Sequence, residues 1–171
     1  MSEIKLISKE KIAEQVERLA LDILTHCKKS NINTLTVVWL AEGAIFFVVD
    51  LLRKLESIEC EIVSIRASSY GMNTYSSGSV ELRGDFKSLK GKDILLVDDI
   101  LDSGLSLKTV IEELLKNEVK SCKSCVLLDK NKAQDIKADF KCFDIEDKFV
   151  YGYGLDIAEL KRNSQDIFYK E

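Results

Sequence analysis

The chain has 171 residues, of which 46% are hydrophobic and 32% are charged, and its formal net charge is −4. This length and apolar content suit a single domain over residues 1–171 and exclude an intrinsically disordered chain. The acidic balance disfavours nucleic-acid binding, no apolar run is long enough to cross a bilayer, and the first residues lack the apolar segment of a secretory signal. We therefore expect a soluble, cytoplasmic protein that has no nucleic-acid or membrane partner.

Helical and extended patterns alternate along the chain. Apolar residues at helical spacing predict an amphipathic helix over residues 9–28, with Ser8 as its N-cap. A β-branched apolar run predicts a buried strand over 35–40, and helical spacing returns over 45–55. Further strands are predicted over 61–67, 80–83, 94–97 and 124–128, and a further helix over 104–116. This alternation predicts an α/β fold in which helices cover both faces of a parallel sheet.

One long polar segment interrupts the alternation. Residues 68–79, SSYGMNTYSSGS, are rich in Ser, Gly, Asn and Thr and too numerous for a tight turn, so we expect a flexible lid loop. The core of the domain is expected over about residues 33–145, and a small cap is expected from the N-terminal segment and about residues 130–171.

The five cysteines indicate reduced thiols rather than a metal centre. Cys122 and Cys125 form a CxxC pair, but a closed zinc site needs four ligands and therefore a second pair at matching spacing. The chain has no such pair, because its single histidine is His26 and the only cysteine after Cys125 is Cys142. The CxxC pair also runs directly into an apolar strand pattern instead of opening a helix. We therefore expect the two cysteines to be buried or edge residues of a strand.

The segment ILLVDDILDSGLSL, residues 94–107, places three acids beside a glycine-containing turn. A predicted strand ends at Asp98 and Asp99, Asp102 lies three residues later, and Ser103 to Ser106 lead into a helix. In an open α/β sheet, ligands bind beyond the carboxyl ends of the strands, and the backbone N–H groups of a turn before a helix bind anions. The turn can thus bind a phosphate, while the adjacent acids suit a sugar diol or Mg²⁺.

The residues alone also allow a simpler interpretation of this segment. Asp102 can cap the following helix while Asp98 and Asp99 are solvated at the end of the strand. Two common nucleotide-binding motifs are excluded, because the chain contains neither GxxxxGKS or GxxxxGKT nor GxGxxG.

Four motifs in chain order resemble those of type I phosphoribosyltransferases, and most closely those of the hypoxanthine-guanine branch. VDDILDSGLSL (97–107) resembles the family's signature for binding phosphoribosyl pyrophosphate. LAEGAIFFVVDLLRKL (40–55) resembles its pyrophosphate loop and following helix, SSYG (68–71) its lid, and DKFVYGYGLDIAELKRN (147–163) its purine-binding segment. The resemblance extends over nearly the whole chain and implies the family's α/β fold.

The resemblance implies a site for phosphoribosyl pyrophosphate and Mg²⁺. Asp98 and Asp99 would face the ribose hydroxyls and, together with Asp156, would bind the metal. The 5′-phosphate and the pyrophosphate would be bound by Ser103, Gly104, Leu105, Ser106, Glu42, Gly43 and Arg162. Carboxylates beside the sugar also stabilise the positive charge that develops when pyrophosphate leaves C1.

The resemblance also implies a purine site, in which Asp102 is the catalytic base. An ordinary Asp is ionised at neutral pH, so Asp102 can accept the N7 proton as the purine attacks the sugar. The purine would further be contacted by Lys130 at O6, by the ring of Phe149 and by the backbone of Val150, and the lid would include Ser69 and Tyr70. A lid is expected because water competes with the purine as the nucleophile.

Some of these roles have simpler alternatives, and the chain departs from the family at two positions. Phe149 can be a core aromatic, and Lys130 and Arg162 can be surface charges. Glu42 stands in the pyrophosphate loop where many family members have a basic residue, and Leu105 stands at the start of the helix where a basic residue is common. An acidic side chain that contacted the pyrophosphate would hinder its binding.

The function that we expect is purine salvage. The enzyme would convert hypoxanthine and/or guanine and phosphoribosyl pyrophosphate into IMP or GMP and pyrophosphate, with Mg²⁺ as cofactor. A cationic Lys130 favours a 6-oxopurine over adenine. Two alternatives stay open: a nucleotide-sensing regulator with this fold, and a phosphoribosyltransferase for another base such as xanthine. The resemblance further implies a homodimer or homotetramer.

Overall fold

The computed structural model describes residues 3–69 and 80–170. Its strands, in chain order, are β1 (Glu3–Ile7), β2 (Thr34–Ala41), β3 (Glu59–Ser69), β4 (Val80–Arg83), β5 (Asp93–Leu101), β6 (Ser121–Asp129), β7 (Phe140–Asp144), β8 (Val150–Tyr151) and β9 (Ile167–Lys170). Its helices are α1 (Lys9–Lys29), α2 (Ile45–Lys54) and α3 (Leu105–Lys116), and a short 3₁₀ helix spans Lys87–Leu89. Within these residues, none of the helices combines the length and apolarity that a membrane span requires.

Six strands form one sheet in the order β4-β3-β2-β5-β6-β7. Strands β3, β2, β5, β6 and β7 run parallel, and the edge strand β4 is antiparallel to β3. From β2 the chain adds β3 on one side, whereas β5, β6 and β7 are added on the other side. The strand order therefore reverses between β2 and β5, which is the place where open α/β sheets bind their ligands.

The two faces of this sheet are covered by different helices. Side chains alternate along a strand, so Val37 of β2 packs in the core that contains α1 and α2, while Val38 packs in the core that contains α3. Leu95 and Leu96 of β5 divide between the two cores in the same way. The predicted α/β class, with helices on both faces of a mostly parallel sheet, is confirmed.

A second, three-stranded sheet joins the two ends of the chain in the antiparallel order β1-β9-β8. Asp166 fixes this small sheet to the start of α1, because its carboxylate accepts a hydrogen bond from the N–H of Lys9 and pairs with Lys5, both at 2.7 Å. The segment after β8 returns to the main sheet, where a Cβ added to Gly154 would overlap the carbonyl oxygen of Gly43. The small sheet therefore lies close to the loop that follows β2, while α1 packs against the main sheet.

Most of the predicted elements are confirmed, but several strands are longer than predicted, and β6 begins at Ser121 and not at residue 124. Ser8 caps α1, since its Oγ accepts a hydrogen bond from the N–H of Lys11, and both CxxC cysteines lie on β6. The strand predicted over 94–97 is too short: β5 continues to Leu101, so Asp98 and Asp99 lie inside the strand and not after its end. The extension exists because β6 continues to pair with β5 after β2 has stopped pairing with it.

Four short strands and the first residues of the predicted lid loop differ from what the sequence patterns predict. Strands β1, β7, β8 and β9 have at most five residues each, and no predicted strand corresponds to them. Of the predicted lid loop, Ser68 and Ser69 extend β3. Tyr70 and the rest of the loop to residue 79 lie outside the described residues.

Candidate active site

The strands β2 and β5 separate before they end, and an open cavity lies between their carboxyl ends. Their pairing stops at Trp39 and Val97, whereas β2 continues to Ala41 and β5 to Leu101. The cavity has a volume of about 370 Å³. Of the predicted site residues, it is lined by Gly43, Asp98, Asp99, Asp102, Ser103, Gly104, Leu105, Ser106, Asp156 and Arg162.

Asp98 and Asp99 form the wall of this cavity that β5 provides. Both residues are partly buried, and each carboxylate accepts a hydrogen bond at 2.9 Å, Asp98 from the N–H of Asp99 and Asp99 from the N–H of Ile100. Burial raises the pKa of both carboxyl groups, and the charge of Asp99 raises the pKa of Asp98 further. The alternative in which these acids are solvated at a strand end is therefore wrong.

Gly43 allows the loop after β2 to approach the Asp99 carboxylate closely. A Cβ at this position would overlap Asp99 Oδ2, so a larger residue would displace this carboxylate from its position in the cavity. The peptide bond that precedes Glu42, between Ala41 and Glu42, is cis. Glycine at position 43 therefore leaves the space that the Asp99 carboxylate occupies at the reversal of the strand order.

Glu42, the acid that departs from the family pattern, is ion-paired. The register of β2 and β3 places Arg66 opposite Ala41, and Arg66 Nη2 donates a hydrogen bond to Glu42 Oε1. More than half of each side chain is exposed. Arg66 thus balances the negative charge of Glu42 at the edge of the cavity.

Asp102 does not cap α3. The N-cap residue is Gly104, whose φ of 81° lies in the left-handed region that glycine adopts without a steric cost. Asp102 instead forms ion pairs with Lys130 at 2.9 Å and with Lys132 at 3.3 Å. Burial by itself raises the pKa of Asp102, but the hydrogen bonds from the two lysines outweigh burial and hold that pKa below its usual value. Asp102 is therefore an ionised carboxylate at neutral pH, as a proton acceptor must be.

The turn from Ser103 to Ser106 begins α3 and lines the cavity. The first N–H groups of a helix have no intrahelical partner and bear a partial positive charge. Here the N–H of Leu105 donates a long hydrogen bond of 3.4 Å to Ser103 Oγ. The turn therefore has the polarity of an anion site.

Asp156 and Arg162 approach the cavity from the loop between β8 and β9. Arg162 Nη1 donates to the carbonyl oxygen of Gly154 at 2.8 Å, and its Nη2 pairs with Asp156 Oδ1 at 3.0 Å. The second oxygen of Asp156 accepts from the N–H of Glu159 at 2.8 Å. Arg162 is therefore held in place with only 25% of its side chain exposed, and it is not a solvated surface charge.

Of the predicted purine residues, Lys130 contacts Asp102 directly, whereas Phe149 and Val150 lie just after Asp147 in the chain. Lys130 is 10% exposed and contacts both Asp102 and Asp147, so it is not a surface charge either. Phe149 follows Asp147 by two residues and is 60% exposed, which contradicts the alternative that it is a core aromatic. Val150 is buried at the start of β8.

Three residues without a predicted role join the site in the structure. Asp147 and Lys132 contact the pair formed by Asp102 and Lys130, and Arg66 contacts Glu42. Asp147 is the first residue of the predicted purine-binding segment, 147–163, so the sequence could have indicated that it lies near the site. Lys132 and Arg66 stand outside the motif segments, and only the strand order brings them to the site.

The carboxylates of the cavity fit Mg²⁺. In proteins this ion is usually bound by one or two carboxylates together with substrate phosphates and water. Asp98 and Asp99 are two partly buried oxygen donors, and burial raises the pKa of both carboxyl groups. Asp156 fits less directly, because Arg162 and the N–H of Glu159 already contact its oxygens. The part of the chain that the structure describes contains no cluster of three or more candidate ligands.

Comparison with known sequences identifies the family. The model of the phosphoribosyl transferase domain matches residues 5–158. The chain is 38% identical to the hypoxanthine-guanine phosphoribosyltransferase of Aquifex aeolicus over 169 residues, which cover 97% of this chain and 93% of that protein. It is 39% identical to the hypoxanthine-guanine phosphoribosyltransferase of Bacillus subtilis over 162 residues, which cover 92% of this chain and 87% of that protein.

Solved structures share the fold over nearly the whole chain. A hypoxanthine phosphoribosyltransferase of Trypanosoma cruzi superposes with a TM-score of 0.90 at 30% identity, covering 98% of this chain and 91% of that chain. A hypoxanthine-guanine phosphoribosyltransferase of Bacillus anthracis superposes with a TM-score of 0.88 at 35% identity and covers 98% of both chains. The protein belongs to the phosphoribosyl transferase family, and the resemblance of its motifs to the hypoxanthine-guanine branch is confirmed.

Proposed function

We propose that the protein is a hypoxanthine-guanine phosphoribosyltransferase of purine salvage. It transfers the 5-phosphoribosyl group of phosphoribosyl pyrophosphate to hypoxanthine or guanine, which forms IMP or GMP and releases pyrophosphate. The contact of 2.9 Å between Asp102 and Lys130, at the edge of a cavity with an anion site, carries the proposal. A carboxylate beside an ammonium group matches the neighbouring N7–H donor and O6 acceptor of a 6-oxopurine.

In this proposal, Asp102 accepts the N7 proton while Lys130 donates to O6. The N7 proton becomes more acidic as N9 commits its electrons to the sugar, so an ionised aspartate is a sufficient acceptor. Adenine would present an amine to Lys130, placing one donor against another, which disfavours it. The exposed ring of Phe149 stacks on the purine, and the backbone of Val150 bonds to its edge.

The ribose and its phosphates bind along the cavity. Asp98 and Asp99 accept hydrogen bonds from the ribose hydroxyls and stabilise the positive charge that develops at C1. The turn from Ser103 to Ser106, which includes Gly104 and Leu105, binds the 5′-phosphate. Glu42, Gly43 and Arg162 form the pyrophosphate subsite, with Arg66 balancing the acid.

The proposal includes Mg²⁺, held by Asp98 and Asp99 together with the substrate. When bound, the ion neutralises charge on the pyrophosphate that leaves. Asp156 also lines the cavity and orients Arg162, which it contacts at 3.0 Å.

A lid with Ser69 and Tyr70 completes the proposed site. Strand β3 ends at Ser69, beside β2, and Ala67 of β3 lines the cavity. Water competes with the purine as the nucleophile, and this is the reason for proposing that the segment with Ser69 and Tyr70 acts as a lid.

A homodimer or homotetramer is also part of the proposal. Ile45, Phe46 and Val49 on α2 are 41%, 40% and 38% exposed and form one apolar patch. Such a patch on the helix that follows the pyrophosphate loop favours contact with a second copy of the chain.

We further propose a cytoplasmic location. All five cysteines are free, and Cys125 is buried on β6. Free thiols in this number fit a reducing compartment.

Nucleotide synthesis with four bases tests the function. The protein would be incubated with phosphoribosyl pyrophosphate, Mg²⁺ and hypoxanthine, guanine, xanthine or adenine, and the products separated by chromatography. We expect IMP and GMP, with kcat/KM for each oxopurine roughly 100-fold or more above that for adenine. Synthesis from none of the bases would refute the function, and synthesis from adenine alone would refute the assigned substrate class.

A further inference from the structure

Two lysines and two aspartates at the edge of the cavity form a closed ring of alternating charge. Lys130 Nζ contacts Asp102 Oδ2 at 2.9 Å and Asp147 Oδ1 at 3.3 Å. Lys132 Nζ contacts Asp102 Oδ1 at 3.3 Å and Asp147 Oδ2 at 2.8 Å. Each of the carboxylate oxygens thus faces one ammonium group. We call these four residues the charge ring. Within residues 3–69 and 80–170, they form no ion pair with any other side chain.

The charge ring connects three segments of the site. Asp102 follows β5, the two lysines follow β6, and Asp147 precedes β8. The N–H of Lys130 also donates to the carbonyl oxygen of Leu101 at 3.0 Å, which holds the lysine segment against the end of β5. The ring therefore fixes the segment that includes Phe149 relative to the catalytic base.

We propose that Lys132 and Asp147 are positioning residues for the purine. When the purine binds, a single contact of the charge ring breaks and the other three remain. This inference rests on the proposed function. The contact that opens joins Asp102 Oδ2 to Lys130, so that Oδ2 accepts from N7–H and Lys130 donates to O6. Lys132 keeps its contact with Asp102 Oδ1, and Asp147 keeps its contacts with both lysines.

The exchange leaves no polar group without a partner. The purine supplies a donor to Asp102 and an acceptor to Lys130, and these replace the contact that it breaks. Lys130 is 10% exposed, so a free ammonium group there would be costly, and Asp147 prevents this while the purine enters. Without Asp147, Lys130 would depend on Asp102 alone and would compete with N7–H for Oδ2.

The same geometry gives Lys132 an electrostatic effect on the base. The charged groups that face Asp102 are Lys130 and Lys132, with Asp147 behind both. Hydrogen bonds from the two lysines lower the pKa of Asp102 against the effect of burial. Because Lys130 turns to O6, Lys132 is the cation that stays on Asp102 during catalysis. Removal of its charge therefore raises the pKa of Asp102 and moves the acidic limb of the activity profile to higher pH.

Steady-state kinetics of four variants test the inference. For Asp147→Asn we expect KM for hypoxanthine to rise about 10-fold or more, with KM for phosphoribosyl pyrophosphate unchanged, because a charged hydrogen bond is lost only at the purine side. For Lys132→Met we expect the acidic limb of kcat/KM to move to higher pH, and for Lys132→Arg we expect it to return. Lys137→Met, which removes an exposed charge from the same loop, should leave both parameters unchanged.

The outcomes separate the inference from the proposed function. An active wild-type enzyme whose acidic limb is the same in Lys132→Met refutes the role of Lys132. Equal rises in both KM values in Asp147→Asn refute the role of Asp147 and indicate a general distortion. If thermal unfolding shows that Asp147→Asn does not fold, the pH profile of Lys132→Met tests the inference by itself. The Lys132 side chain is 45% exposed, so its replacement should leave the fold intact. A wild-type protein that is inactive with every base refutes the function itself.

Discussion

Arg66 on β3 pairs with Glu42 in the loop after β2, and the parallel register of the two strands brings them together. Both side chains are more than half exposed. An exposed ion pair contributes at most about 1 kcal/mol to stability. The importance of the pair is therefore the balance of charge beside the proposed pyrophosphate subsite, where an uncompensated acid would repel the substrate.

We predict that Arg66→Ala weakens binding of phosphoribosyl pyrophosphate without slowing the chemical step. KM for this substrate should rise about 5-fold, with kcat nearly unchanged, because a single exposed charge is left unbalanced. The rise should diminish at high salt, since salt screens exposed charges. Steady-state kinetics at two salt concentrations measure both effects.

The double variant Glu42→Gln with Arg66→Ala should recover most of the lost affinity, because no unbalanced acid is left. Arg18→Ala, an exposed arginine of α1, serves as the matched control. If the double variant binds as poorly as Arg66→Ala, then Arg66 contacts the substrate directly and the charge-balance explanation is wrong.

We predict that Asp102→Asn removes proton acceptance at N7 and leaves substrate binding intact. The amide has the shape of the carboxylate but cannot take the proton, so kcat/KM for hypoxanthine should fall by about 10²–10⁴-fold. Stabilisation by phosphoribosyl pyrophosphate, measured as a shift in Tm, should persist. Nucleotide synthesis within a few-fold of the wild-type rate would show that another group accepts the proton.

We predict that Gly43→Ala distorts the cavity at the Asp99 carboxylate. The added methyl group would overlap Asp99 Oδ2, so stability should fall by about 1–3 kcal/mol and KM for phosphoribosyl pyrophosphate should rise. Gly91→Ala is the control: its φ of 75° strains an alanine, but the added Cβ would have no neighbour within 4 Å. That variant should lose stability and keep its KM, whereas equal KM values in both variants would argue against a role for the close approach.

We predict that Asp98→Asn stabilises the metal-free protein at neutral pH. Burial and the charge of Asp99 raise the pKa of Asp98 above its value in the unfolded chain. Between these two pKa values the folded state binds more protons than the unfolded state, so stability falls as the pH rises through this window. Asparagine bears no charge and still accepts the N–H of Asp99, so at pH 7 we expect a gain of about 1 kcal/mol, or about 2–4 °C in Tm.

Thermal unfolding between pH 4 and pH 8 in the presence of a chelator measures this gain. It should diminish towards pH 4, where Asp98 is increasingly protonated in both states. A gain that is independent of pH would mean that repacking, and not charge, is responsible. Asp135→Asn, which changes an exposed acid after β6, should show no such dependence.

The sequence predicts those parts of the fold and site that are encoded by neighbouring residues. A local pattern is enough to locate three of these parts, because each is formed by residues that are close together in the chain. They are the apolar face of α1, the buried run of β2 and the acid-rich segment from Asp98 to Ser106. The end of β5 is predicted wrongly, because the strand is extended by pairing with β6 and not by its own apolar residues. The exposure of Phe149 likewise depends on neighbours that are distant in the chain.

Hydrophobic spacing and turn chemistry are local properties, so the residues alone are enough to predict the α/β class, the order of the longer elements, and the segment that provides the acids and the anion-binding turn. Which charges meet depends instead on contacts between residues that are distant in the chain. Arg66 reaches Glu42 through the register of two strands, and Lys132 reaches both Asp102 and Asp147 because three separate segments converge at one edge of the cavity. Contacts of this kind follow from strand order and burial, which no local pattern encodes.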